Sequence, residues 1–123
     1  MDTATLVDDR IDDGKQFIDE LKQSHFDVAA AFWVLTSEEG LWFLYIASPF
    51  VDTDGLSAAF RRVYGALAQS QVRWVSRSEI KLIGENNPIA QDAIRYRSNR
   101  LITRFQGRRL GSLTVDEAVI YPQ

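Results

Sequence analysis

The sequence predicts an α+β domain, a largely antiparallel sheet of about five strands with three helices packed on it, in the order α-β-β-α-β-α-β-β. Three observations carry this. Two runs of aromatic and branched residues, "VAAAFWVL" and "LWFLYIA", flank a polar loop ending in Gly40 and read as a β-hairpin. A second hairpin-like stretch, "RLITRFQGRRLGSLTVDEAVIYP", closes the chain. Segments with helical spacing of apolar residues precede the first hairpin and separate it from the second.

Element by element, Val7, Ile11, Ile18 and Leu21 recur at helical steps between Thr5 and about Gln23, with Asp8, Asp9, Asp12 and Asp13 crowding the first half. Acids there suit the positive end of the helix dipole and need no metal to explain them. In the hairpin, a loop at Ser37 to Gly40 places Leu35 opposite Trp42, Val34 opposite Phe43 and Phe32 opposite Tyr45. Both faces are then apolar: Ala31, Trp33, Leu35, Trp42, Leu44 and Ile46 on one, Phe32, Val34, Phe43 and Tyr45 on the other. A half-exposed antiparallel pair alternates apolar with polar, so something must cover the second face.

"DTDG" offers a helix cap, followed by Leu56, Phe60, Val63, Tyr64 and Leu67 at helical spacing up to about Ser70. "VRWVSRSEIKLIG" reads as extended, in one strand or two. "ENNP" starts a short third helix, with Asn87 as cap and Pro88 in the first turn, ending near Arg97. The final hairpin is expected to turn near Gly107 and Arg108, with Val119 to Tyr121 as its last strand segment.

The 123 residues suffice for one domain, 1–123, with an ordinary globular composition. The absence of cysteine excludes disulfides, thiolate metal sites and a cysteine nucleophile. "MDTATLVDDRIDDGK" is acidic where a secretory signal begins positive and turns apolar, which points to a cytoplasmic protein. The longest apolar runs fall far short of the roughly 20 residues of a membrane span, so no membrane association is expected.

Catalytic signatures are thin. His25 stands alone past the expected end of the first helix, where it suits the terminal carbonyls better than a metal. There is no G-x-S-x-G turn and no glycine-rich phosphate loop. Asp52 and Asp54 read as caps. Glu79 and Lys81 form an E-x-K pair of the kind metal-dependent nucleases use, but Glu20 and Lys22 repeat it, so the pattern carries little weight. No catalytic residue, metal ligand or cofactor is assigned.

Charge is the more informative feature. Residues 1–60 hold twelve acids against three bases, net −9, while 61–123 hold five against eleven, net +6. Six arginines fall within 95–109. Arg95 and Arg97 suit a helix C-terminus. Arg100, Arg104, Arg108 and Arg109 are candidate binders of anions or carboxylates, Arg100 and Arg104 on a solvated strand face, Arg108 and Arg109 at a glycine-flanked hairpin tip. Their partners would be acids of the first half, acids of another protein, or nucleic-acid phosphate. A pI near 5.1 places nucleic acid behind protein carboxylates.

The resulting expectation is a non-catalytic interaction module that self-associates, a dimer before other assemblies, through the apolar hairpin residues Trp33, Trp42, Phe43 and Tyr45. A nucleic-acid-associated protein using the arginines is the alternative. A metal-dependent nuclease, or a ligand sensor with Trp33, Trp42 and Trp74 around a pocket, ranks lower.

Overall fold

The computed structural model describes residues 8–123. Helix α1 (Asp8–Gln23) leads into strands β1 (Ala30–Leu35) and β2 (Trp42–Ser48), followed by helices α2 (Pro49–Asp54) and α3 (Leu56–Gln69). A 3-10 turn at Arg77–Glu79 precedes β3 (Ile80–Gly84), then come α4 (Pro88–Tyr96), β4 (Thr103–Leu110) and β5 (Leu113–Ile120). The sheet runs β3-β2-β1-β5-β4. Its pairs are antiparallel except β2 with β3, which is parallel because the helical crossover α2–α3 returns the chain in the same direction.

The fold is therefore α+β, as the sequence predicts, and the first hairpin has the expected register, with Leu35 opposite Trp42, Val34 opposite Phe43 and Phe32 opposite Tyr45. Asn87 caps α4 through its side chain, and Pro88 occupies the first turn. Thr5 to Val7 of the predicted first helix lie outside the described residues.

Several boundaries differ for identifiable reasons. There are four α-helices among the described residues rather than three, because Ser48 caps α2 one turn before the expected start and Gly55, at φ +93°, breaks α2 from α3. Asp52 and Asp54 lie inside α2, and the cap position of α3 is taken by Gly55, with no side-chain hydrogen bond. The stretch 72–79 is not extended sheet; Asp13 Oδ2 accepts the backbone N–H groups of Arg73 (2.8 Å) and Trp74 (2.9 Å), holding it as a loop against α1. The final hairpin turns at Gly111 and Ser112, not at Gly107.

Both faces of the sheet carry a core. On the first, Trp33, Leu44, Ile46 and Val119 pack against Ile11, Phe17, Ile18 and Leu21 of α1 and Ala59 and Val63 of α3. On the second, Phe32, Val34, Tyr45, Ala118 and Ile120 pack against Ala90 and Ala93 of α4 and against Leu110 and Val115 of the last hairpin. That hairpin reaches across because Gly107 adopts φ +64° in mid-strand and the ladder skips the Gly107–Asp116 rung. The register is the same on both sides of that rung, so no residue is inserted, and the ribbon departs from regular strand geometry at Gly107 itself. Phe105, Arg108 and Leu110 consequently all contact the α4 side, out of the simple alternation of a flat strand. The turn is then fastened to α4, with Gly111 N–H donating to Asp92 Oδ2 at 2.7 Å.

Each large side chain so buried contributes about 1.5–3 kcal/mol. The apolar second face of the first hairpin thus finds its cover within the same chain, and self-association cannot rest on that hairpin being bare.

The first core is organised around one polar chain. Trp33 Nε1–H donates to Tyr121 Oη at 2.8 Å, and Tyr121 O–H donates to the carbonyl of Ile11 at 2.6 Å. Trp33 is fully buried and Tyr121 nearly so, so the two bonds satisfy polar atoms that would be costly to leave unpaired. The Arg10 guanidinium covers the Trp33 ring 4.9 Å from its centre and pairs with Glu79, which also accepts the N–H of Ser76. Gly14 permits this approach of α1: a Cβ there would lie 2.2 Å from Tyr121 Oη and 3.0 Å from Trp33 Nε1.

Two tests follow. Gly14→Ala is expected to destabilise by about 1–2 kcal/mol, overpacking outweighing the helix propensity gained. Gly65→Ala on α3, with nothing within 4 Å of its Cβ, should instead stabilise by up to about 1 kcal/mol. Urea denaturation reads both, and equal signs would contradict the close approach. Burial raises the Tyr121 phenol above its ordinary value, against a smaller lowering by the Trp33 hydrogen bond, and burial likewise raises Tyr45. Above about pH 10 the unfolded chain releases these protons while the folded one keeps them. Stability is therefore complete below about pH 10 and declines above it, and urea midpoints should fall less steeply there in Tyr121→Phe than in the parent protein.

Candidate functional site

The residues expected to form an interface or pocket do not come together. Trp33 and Trp42 are buried on the first face. Tyr45 is buried on the second, stacked on Phe32 at 5.4 Å with the rings 8° from parallel. Phe43 is half-buried on that second face beneath Lys81, whose Nζ sits 4.3 Å from the ring centre and pairs with Glu39 at 3.3 Å. Trp74, half exposed on the loop beside Asp13, joins neither tryptophan in a pocket. All four proposed hairpin residues belong to the packing of the sheet.

The E-x-K pair is divided in the same way. Glu79 pairs with Arg10 and Lys81 with Glu39. Asp52 Oδ2 accepts the N–H of Glu85 at 2.8 Å, fixing the end of β3 to α2 across Gly84, where a Cβ would lie 2.1 Å from the Asp52 carboxylate. Among the described residues no three acidic or histidine side chains gather where they could hold a metal ion. His25 takes φ +66° just past α1, with its backbone N–H on the Lys22 carbonyl. No helix among the described residues is long and apolar enough to cross a membrane.

The arginines are more informative. Arg95 pairs with Asp92 at 3.3 Å, and Arg97 Nη1 donates to the Ala29 carbonyl at 2.5 Å. Arg108 lies within the strand rather than at a hairpin tip, its guanidinium 5.4 Å from both the Tyr96 and Phe105 rings. Arg109 also lies in β4, opposite Thr114, and is exposed. Arg104 approaches Asp8 at 3.9 Å, both side chains being largely solvated, so that contact contributes little. Arg100 and Arg109 have no side-chain partner among the described residues. Among the described residues, neutralisation of the cluster by the acidic first half is thus confined to Arg104 with Asp8.

Arg100, Arg104 and Arg109 lie along or just before the outer margin of the sheet. β4 is one of the two terminal strands, β3 being the other; among the described residues it pairs with β5 on one side and with no strand on the other, so it presents unpaired backbone N–H and C=O groups. Just before it stand Leu101, 73% exposed, and Ile102, 37% exposed. Strand alternation with Arg100 and Arg104 turned to solvent would send Leu101 inward. Instead Ser98 Oγ accepts the N–H groups of Arg100 (3.2 Å) and Leu101 (3.3 Å), forming a turn that directs Leu101 outward. Ser98 two residues before Arg100 is the signal that could have found this turn.

The fold and this margin define the chain as an α+β protein with a mixed five-stranded sheet and an arginine-bearing edge strand. No family model, curated protein or solved structure matches it.

The attachment of the last hairpin is testable. Asp92→Ala removes the acceptor of the Gly111 N–H, and a loss of about 1–2 kcal/mol is expected. Hydrogen exchange at Gly111 should accelerate; unchanged protection would show that the turn is held by other contacts.

Proposed function

We propose that this protein is a non-catalytic interaction module that receives an acidic, extended segment of another protein along β4. The single observation that supports the reading is the unpaired outer margin of β4, flanked by exposed Leu101 and Ile102 and by solvated Arg100 and Arg104. A strand added there would satisfy backbone groups on both chains, which is the physical basis of β-augmentation. Carboxylates on the incoming segment would meet guanidinium groups whose planar forks suit them. Leu101 would serve as the apolar anchor.

The same cations act against a second copy of this chain, since pairing β4 with itself brings arginines toward arginines. The expected dimer accordingly ranks behind a foreign acidic segment. Nucleic acid ranks behind it as well, because an added peptide strand would take up the open backbone groups of the β4 edge, which a phosphodiester chain does not.

The test is fluorescence anisotropy with a labelled peptide alternating Glu and Val, against its Lys counterpart. Binding of the Glu peptide alone is expected, weakened about tenfold or more between low and high salt, and lost in Arg100→Glu/Arg104→Glu. Hydrogen exchange should show new protection along β4. Equal binding of both peptides, or protection elsewhere, would sink the reading. Retention of a single-stranded oligonucleotide in place of the peptide would transfer the arginines to phosphate, and light scattering that reports a stable dimer closed along β4 would transfer the edge to a second copy.

A further inference from the structure

At the far end of the sheet from the first hairpin's loop, the start of β1, the residues after β5, the later turns of α1 and the end of α4 enclose a recess of about 300 Å³. That volume is at the lower bound of small-molecule sites. Its apolar lining comes from Ala30, Ala31, Tyr121, Ile18, Val28 and Ile94. Val28 and Ile94 are only partly buried, so part of this apolar lining still faces solvent.

Two cations reach the recess, Arg97 and Lys22. Arg97 is the informative one. It follows α4 directly, is partly buried, and donates one guanidinium N–H to the Ala29 carbonyl, which fixes the head group in place. A guanidinium has five N–H donors, and among the described residues no carboxylate pairs with this one. A charge withdrawn from water without a counter-charge is unfavourable, and an anion entering the recess would relieve it. Lys22 adds a second positive group. Glu85, which also lines the recess, forms no ion pair with either cation and leaves the recess net positive.

We infer that this recess is a binding site for a small organic monocarboxylate with a branched apolar body. The carboxylate lies on Arg97, with Lys22 beside it, and the hydrocarbon covers Val28 and Ile94. The site is independent of β4 and of whatever docks there.

The probe is 4-methylpentanoate, with 4-methylpentan-1-ol as its uncharged counterpart, titrated into the isotope-labelled protein and followed by nuclear magnetic resonance. Saturable shifts are expected for the acid at the amides of Ala29 and Ala31 and at Arg97 Nε, with the alcohol at least about tenfold weaker, as loss of a charged hydrogen-bonded pair requires. Arg97→Gln keeps a donor for the Ala29 carbonyl but removes the charge, and should weaken the acid about tenfold while leaving the alcohol unchanged. Lys22→Glu, a change at an exposed side chain that takes no part in that hydrogen bond, should weaken the acid and carries the test if Arg97→Gln does not fold. Equal affinity for acid and alcohol, an unaltered titration in the variants, shifts mapping elsewhere, or no saturation would each overturn the assignment.

Discussion

All six residues of β1 are buried, so the strand at the centre of this sheet has no side directed at water. That constraint organises the rest of the molecule. A sheet apolar on both faces needs cover on both, and the chain supplies α1 and α3 for one and α4 with a bent hairpin for the other. Burying Trp33 there brings an indole N–H into the core, which must be satisfied. Tyr121 satisfies it and passes the obligation to the carbonyl of Ile11, so a single hydrogen-bonded chain joins the central strand, the end of β5 and the first helix. Gly14 is the opening in α1 through which that chain fits.

The acidic residues serve this architecture in an unexpected way. Asp13, Asp52 and Asp92 each accept backbone N–H groups from a segment distant in sequence, respectively the loop before β3, the residue after β3 and the last turn. Carboxylates used as backbone fasteners stabilise irregular connections; Asp13 and Asp52 do so without an ion pair among the described residues, whereas Asp92 also pairs with Arg95. The opposite charges of the two halves of the chain are therefore poorly matched to one another: Lys81 with Glu39 and Arg104 with Asp8 are the ion pairs among the described residues that join an acid of the first half to a base of the second. The arginines remain on the surface, some over aromatic rings, some solvated along the terminal strand. The bend at Gly107 that brings Leu110 into the second core leaves Arg104 and Arg109 pointing away from it.

Much of this was legible in the residues themselves. The spacing of apolar side chains across "VAAAFWVLTSEEGLWFLYIA" determined the hairpin, its register and the two apolar faces, because alternation in a strand is a local property. Asn87 and Pro88 likewise announced the start of α4. The sequence by itself also determined the absence of thiol chemistry and the gathering of arginines near the end of the chain.

Tertiary structure decided where those features act. Gly107 looked like a turn because glycine tolerates positive φ in turns and in irregular strands alike, and which of the two forms depends on whether a distant helix rewards bending the strand. The stretch before β3 alternates as a strand would, yet Asp13, some sixty residues away, holds its amides as a loop. Leu101 reads as core until the Ser98 turn is in place. Which face is covered, which arginine finds a partner and which edge stays open all depend on contacts between segments far apart in the chain, and no local pattern of side chains encodes those distances.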